Sequence, residues 1–269
     1  MNEFIYYHDL IPHSSYGNDE ILLNKDMDLF TKTIYKDGYS IIDIDDTQDK
    51  LKQLLADEIC TITGKQINLD DYHTIITEEE NTKILNSMPY KKNKLPEIAT
   101  YLEKLISDTL KYKVKIFNDD LWVRICRPSS YYKSDFNPYH RDVYLDFYRN
   151  TVNIYLPISG SNEKSSLTIQ PGSHKWNENM TRTTRGGSIV QNKKYSVDAI
   201  VASKIELKMI RPNPAYNQLL LFSPYLIHGG ARNENHTTRF SLEVRFIKEN
   251  ESLKQELLFV DFLKNRNWR

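Results

Sequence analysis

The chain predicts a mainly β fold with flanking helices, and three observations point there. From Leu121 onward, β-branched and aromatic residues alternate with polar ones, as strands with one buried face require. Pro128, Pro138, Pro157, Pro171, Pro212, Pro214 and Pro224 cut that region into short runs, as the turns of an all-β core do. The first third instead carries apolar residues at helical spacing. With 269 residues, 39% hydrophobic and 12% aromatic, the chain can bury a full core and still be one domain.

Each element follows from local pattern. Asp46-Thr47 caps a predicted helix in which Leu51, Leu54, Leu55, Ile59 and Ile62 share a side and which Gly64 ends. A second amphipathic helix runs from about Pro96 to Leu110, with Ile98, Leu102, Leu105, Ile106 and Leu110 on one side. Residues 1–114 are therefore expected to be a helical support region, with the β core at 115–247. Within the core, Val143–Phe147, Val152–Ile158 and Leu219–Phe222 read as strands. Thr238–Phe246 alternates Phe240, Leu242, Val244 and Phe246 against Arg239, Ser241, Glu243 and Arg245, which puts Arg239 and Ser241 on one face. The tail, 248–269, carries Leu253, Leu257, Leu258, Phe262 and Leu263 and predicts one more amphipathic helix, able to pack on the core or on a second subunit of a homodimer. The sequence has no internal repeat, low-complexity tract or flexible linker.

Charge and cysteine content narrow the function classes. Lys and Arg number 36, as do Asp and Glu, and the absence of a basic excess argues against nucleic acid as the main partner. Apolar runs are only a few residues long, so no membrane span is expected, and Met1-Asn2-Glu3-Phe4 lacks the regions of a signal peptide. Cys60 and Cys126 form no framework, which suits a reducing cytoplasm.

His140-Arg141-Asp142 and the distal His228 carry the chemistry. Two imidazoles and one carboxylate can occupy one face of an octahedral Fe(II) and leave three positions open, as an oxygen-activating catalytic centre needs. Arg239 then has a partner in prospect. Its guanidinium can pair with the far carboxylate of a 2-oxoglutarate that chelates the metal at its other end, and the Ser241 hydroxyl can add a hydrogen bond. His8, His13, His73 and His236 belong to no such motif and are expected to be exposed.

From Phe30 to Phe246 the chain resembles the phytanoyl-CoA dioxygenase-like branch of the iron and 2-oxoglutarate oxygenases. The resemblance rests on Asp37-Gly38-Tyr39-Ser40-Ile41-Ile42, His140-Arg141-Asp142 and Leu167-Thr168-Ile169-Gln170-Pro171-Gly172-Ser173-His174. It continues with His228-Gly229-Gly230 and Thr238-Arg239-Phe240-Ser241, in the family's order and at its intervals. It implies a double-stranded β-helix (jelly roll, cupin-like) core, with His140, Asp142 and His228 as catalytic iron ligands. Arg239 and Ser241 would hold the 2-oxoglutarate carboxylate, and His174 would sit near the metal without binding it. The implied reaction consumes O2, converts 2-oxoglutarate to succinate and carbon dioxide, and hydroxylates the substrate by default. Desaturation, cyclisation and epimerisation start from the same chemistry. Because the carboxylate of Asp142 fills the position that halogenating members leave open, halogenation is not expected.

Substrate recognition is expected from the strand and loop before the metal motif and from the segment after the Pro-Gly-Ser-His turn. Arg124, Tyr139, Tyr144 and Trp176 are the candidate substrate residues, and Arg127 a candidate second cosubstrate contact. Between Lys175 and Arg211, eight Lys or Arg stand against three acids, which suits an anionic substrate or simply a solvated loop. The aromatic residues suit stacking on a sugar or heterocycle, or plain core packing. The leading expectation is a small-molecule oxygenase. An oxygenase acting on protein or nucleic acid, and a non-catalytic jelly-roll binding protein, are the alternatives.

Overall fold

The computed structural model describes residues 5–6, 37–88, 90–132, 135–190 and 192–249. A six-stranded antiparallel sheet dominates. Its strands are β2 (Tyr39–Asp43), β3 (Tyr90–Lys91), β4 (Val114–Cys126), β5 (Thr151–Ser159), β10 (Gln218–Phe222) and β11 (Arg239–Lys248), arranged β2-β10-β5-β11-β4-β3. Shorter strands make a second group: β1 (Ile5–Tyr6), β9 (Ile200–Ser203) and β6 (Thr181–Thr183) pair in the order β1-β9-β6, and β7 (Ser188–Val190) pairs with β8 (Lys193–Tyr195).

The helices back the large sheet. α1 (Thr47–Thr63) begins after Asp46 and ends at Gly64, whose φ of 73° lets its N–H reach the Cys60 carbonyl at 2.7 Å. α2 (Tyr72–Ile75) is a single turn. α3 (Glu78–Ser87) starts with a reciprocal cap, in which the Glu80 N–H donates to Thr77 Oγ1 at 3.2 Å and the Thr77 N–H to Glu80 Oε2 at 2.9 Å. α4 (Pro96–Leu110) begins with proline in its first turn, where the missing N–H costs nothing.

Leu51, Leu55 and Ile59 of α1, with Leu102 and Ile106 of α4, meet Leu121, Val123, Ile154, Leu156, Phe240, Leu242, Val244 and Phe246 in one buried cluster on the outer face of the sheet. Each such side chain contributes about 1.5–3 kcal/mol when fully buried. The opposite face supports a smaller cluster of Tyr155, Leu167, Ile169, Leu220, Phe222 and Leu226. That inner cluster lies between two layers. Single-residue bridges join Ile210 to Ile169, Ile169 to His228 and His228 to His140, and the Ile200 N–H of β9 donates to the Tyr139 carbonyl at 2.6 Å. These links extend the minor layer across the front of the large sheet, and the result is a jelly roll.

Three expectations need revision or fall outside the described residues. Val143–Phe147 is not a strand: Asp142–Tyr144 and Asp146–Tyr148 form tight 3-10 turns, closed by the Leu145 N–H on the Asp142 carbonyl at 3.2 Å. Short apolar runs do not distinguish turn from strand by pattern. The β core also begins well before residue 115, because β2 pairs with β10 and β3 with β4, so the region expected to be purely helical supplies both edges of the sheet. Of the helix expected over 248–269, Lys248 instead ends β11, and 250–269 lie outside the described residues. Among the described residues no helix is long and apolar enough to cross a membrane.

Candidate active site

The fold brings His140, Asp142 and His228 together, each contributing one ligand atom, with those atoms within 4.8 Å of one another. Backbone pairing sets the spacing. The His140 N–H donates to the His228 carbonyl at 2.9 Å and the His228 N–H returns the bond at 3.0 Å, so the two imidazoles leave adjacent positions of one ladder. Asp142 reaches the same point because the chain turns after Arg141, its N–H held by the Pro224 carbonyl at 3.0 Å.

Both rings are fixed by tautomer as well as by place. His140 Nδ1 lies 2.7 Å from the Pro138 carbonyl and His228 Nδ1 lies 2.9 Å from the Leu226 carbonyl. A carbonyl only accepts, so each Nδ1 carries a proton and Nε2 is the nitrogen whose lone pair a neutral ring would offer. The two Nε2 atoms lie 3.5 and 3.8 Å from Asp142 Oδ1. Burial, followed by the charge of His140, pushes the His228 pKa down to about 4, which keeps the ring neutral near pH 7. Burial opposes ionisation of Asp142, yet the Arg245 guanidinium and the two imidazoles hold its carboxyl well below the usual range. Two lone-pair imidazole nitrogens and one carboxylate oxygen form a donor set that suits Fe(II).

Backbone packing protects this arrangement. Gly229 has a φ of 98°, and a Cβ there would fall 2.6 Å from the Pro138 carbonyl oxygen and 3.0 Å from His140 Nδ1, so only glycine fits beside the ring. The Pro-Gly-Ser-His turn buttresses His228 from behind: Ser173 Oγ accepts from the Ile227 N–H at 2.8 Å, and the Gln170 N–H donates to the Ile227 carbonyl at 2.8 Å. His174 is buried in that turn against Gly38 and does not join the three metal-ligand candidates.

Arg239 and Ser241 share the inner face of β11, as the alternation predicts. Arg239 is buried; its Nη1 donates to the Ser165 carbonyl at 2.6 Å, while Nε has no hydrogen-bond partner. The buried Ser241 hydroxyl has none either. No carboxylate among the described residues lies within ion-pair distance of Arg239. A buried guanidinium without a counter-charge, beside an orphaned hydroxyl, is costly unless a ligand completes it. A carboxylate is the natural complement.

A cavity of about 470 Å³ opens onto His140 and His228. Tyr144, Trp122 and Arg124 line it, as do Arg239, Glu243 and Arg245 of β11, Leu85 and Met88 from α3 and its end, and Lys193 and Tyr195 of β8. The Arg124 side chain is 38% exposed and its Nε donates to Glu243 Oε2 at 2.9 Å. Although burial raises the Glu243 carboxyl pKa, Arg124 outweighs it and leaves that carboxyl below its ordinary value.

Other candidates are placed elsewhere. Arg127 does not line the cavity: Asp135 takes its Nε at 2.6 Å and its Nη2 at 3.0 Å, Glu78 takes its Nη1, and Tyr132 stacks on it 3.6 Å from the ring centroid. Three of its five N–H donors are thus engaged by these carboxylates, away from the cavity. Tyr139 and Trp176 are also absent from the cavity lining, the former packing beside Gly230.

Sequence reasoning passed over Arg245 and Asn153. Arg245 donates to Asp142 Oδ2 from Nε at 3.0 Å and Nη2 at 2.8 Å, and Asn153 Nδ2 donates to the same oxygen at 2.7 Å. The signal for Arg245 was present in the strand alternation that places it on the face of Arg239. Nothing local marked Asn153, which β5 brings into register with Arg245.

No family model matches the chain, and no curated protein matches it in sequence. Solved structures do resemble it. EctD from S. alaskensis in its apo form covers 91% of this chain and 84% of its own length at a TM-score of 0.50 and 14% identity. The non-heme monooxygenase ThoJ covers 81% and 77% at 0.47 and 13%, and AviO1 from Streptomyces viridochromogenes 83% and 95% at 0.48 and 12%. EctD has also been solved with bound Fe and with 2-oxoglutarate and 5-hydroxyectoine. The likeness to the EctD apo structure establishes the fold, and the chemistry of this chain rests on its own residues.

Proposed function

We propose that this chain is a non-haem iron, 2-oxoglutarate-dependent dioxygenase that hydroxylates or otherwise oxidises a small molecule in a biosynthetic or tailoring pathway. One observation carries the reading. Two imidazoles and one carboxylate converge beside a buried guanidinium whose Nε is unbonded and a buried hydroxyl that has no hydrogen-bond partner. The first set suits Fe(II) and the second a dicarboxylate cosubstrate.

When bound, iron and 2-oxoglutarate would supply the oxidising power, with succinate and carbon dioxide as by-products. The chain's own share is placement. His140, Asp142 and His228 would hold the metal, Arg239 and Ser241 would hold the far carboxylate, and the apolar residues Leu220, Phe222 and Leu226 behind the site restrict water. On the substrate side, Arg124 and Tyr144 are the candidate contacts. Arg124 is bound to Glu243 through Nε only, which leaves its Nη edge for an acidic group of the substrate, a reading the nearby Lys193 supports. Two free thiols and an iron(II) site suit a reducing compartment, and we assign the chain to the cytoplasm.

Anaerobic titration of the Fe(II)-loaded protein with 2-oxoglutarate tests the cofactor reading. A weak visible charge-transfer band that is lost in His228→Ala is the expected result. Bound iron with no such band would overturn it. Oxygen consumption against a panel of acidic and neutral metabolites tests the substrate side: Arg124→Gln should raise KM for acidic compounds selectively, and an unchanged KM would remove Arg124 from recognition.

A further inference from the structure

The two oxygens of Asp142 are not equivalent. Oδ1 faces the two imidazoles, at 3.5 Å from His140 Nε2 and 3.8 Å from His228 Nε2. Oδ2 faces away and accepts three hydrogen bonds, two from Arg245 and one from Asn153. The Asp142 side chain is 2% exposed, so these bonds are not shared with solvent.

Arg245 is itself held on two sides. Its edge meets Asp142, and the Tyr148 ring lies 4.4 Å from the guanidinium carbon, which is a cation–π contact. The turn formed by Asp146–Tyr148 supplies that ring, and the pairing of β5 with β11 supplies Asn153 opposite Arg245. Two strands therefore converge on one carboxylate oxygen, and a third segment holds the guanidinium that reaches it.

We propose that Arg245, with Asn153, is a positioning residue that restricts Asp142 to a single-oxygen ligand and thereby keeps a coordination position open. The inference rests on the reading of this site as an iron centre. A carboxylate free at both oxygens can give both to a metal. Together with two imidazoles, such a chelate fills four of about six positions. Two positions would then remain, enough for a keto acid that chelates through two atoms but not for an oxidant beside it. With Oδ2 engaged by a guanidinium, Asp142 presents one oxygen and the third position is preserved. The positive charge also draws electron density from the carboxylate, which makes it a weaker donor and leaves the centre better able to attract an anionic keto acid. Lysine would keep the charge but not two N–H donors on one oxygen.

The test compares the full chain with Arg245→Met, Arg245→Lys and Asn153→Ala, each loaded with Co(II) and, separately, with Fe(II) plus 2-oxoglutarate under anaerobic conditions. We expect the Arg245→Met visible Co(II) spectrum, per bound metal, to change in intensity as the coordination shell changes. Its 2-oxoglutarate affinity should fall about 10- to 100-fold, with partial recovery in Arg245→Lys. A lower melting temperature with an unchanged Co(II) spectrum and unchanged 2-oxoglutarate affinity would overturn the proposal, because packing alone would produce it. If Arg245→Met does not fold, Arg245→Lys and Asn153→Ala decide: a shifted spectrum in either supports the role, and wild-type spectra in both overturn it. Failure of the wild-type chain to develop the 2-oxoglutarate band with Fe(II) bound would instead overturn the oxygenase reading.

Discussion

The two faces of β11 are almost equally buried and chemically opposite. Outward, Phe240, Leu242, Val244 and Phe246 sit in an apolar core with exposures of 1% or less. Inward, Arg239 and Ser241 are as hidden, at 5% and 0%, and Glu243 and Arg245 are largely so. An apolar side chain needs only close packing, whereas a buried charge needs a partner. Glu243 has Arg124 and Arg245 has Asp142. The Arg239 guanidinium donates to a single carbonyl, with the Tyr155 ring 5.9 Å away, and the Ser241 hydroxyl has no hydrogen-bond partner. The unequal satisfaction along one face supports the proposed carboxylate site at Arg239 and Ser241.

Loss of a metal ligand should have the most severe outcome. His140→Ala or Asp142→Ala should abolish Fe(II) binding in an equilibrium metal assay while circular dichroism stays that of the wild type; retained iron in both variants would dissolve the assigned triad. Next in size, Phe246→Ala on the outer face should cost about 3–5 kcal/mol in urea unfolding, with little change in metal affinity of the folded fraction. Arg239→Met should behave in the opposite way. It removes an uncompensated buried charge, so its melting temperature should hold or rise, while 2-oxoglutarate affinity falls by about 2–5 kcal/mol. A destabilised Arg239→Met with normal affinity would make the inner face an ordinary core.

The smallest expected effect is on acid stability. Because the folded Glu243 carboxyl ionises below its ordinary pKa of 4.5, its contribution is complete above that pH and fades as pH falls through the folded value. Glu243→Gln should therefore flatten the pH dependence of urea stability below 4.5, and a slope unaltered by the substitution would show that the Arg124 pair contributes nothing.

Much of this was legible in the sequence, for identifiable reasons. The α1 and α4 boundaries follow from Gly64 and Pro96, residues whose backbone geometry punctuates chains wherever they fall. The shared face of Arg239 and Ser241 follows from a period of two, which survives the register shift beside Phe240. The engagement of Arg127 by Asp135 and Glu78 has no mark in the sequence, because no local pattern brings either carboxylate to it. The 3-10 turns after Asp142 were hidden for a similar reason: Val143, Leu145 and Phe147 alternate like a strand, although the Leu145 N–H turns back onto the Asp142 carbonyl. Asn153 acquires its role only through a strand pairing across 92 positions of chain, from Asn153 to Arg245.

The reciprocal hydrogen bonds between His140 and His228 have a consequence for how the molecule matures. These amides belong to segments far apart in the chain, so the metal-binding geometry exists only where the two are paired. An ion captured there would act as a rivet between the two segments and would favour the paired form according to its concentration relative to its affinity. Loading the chain should then slow amide hydrogen exchange most at His140 and His228, with little effect on the helices behind the sheet.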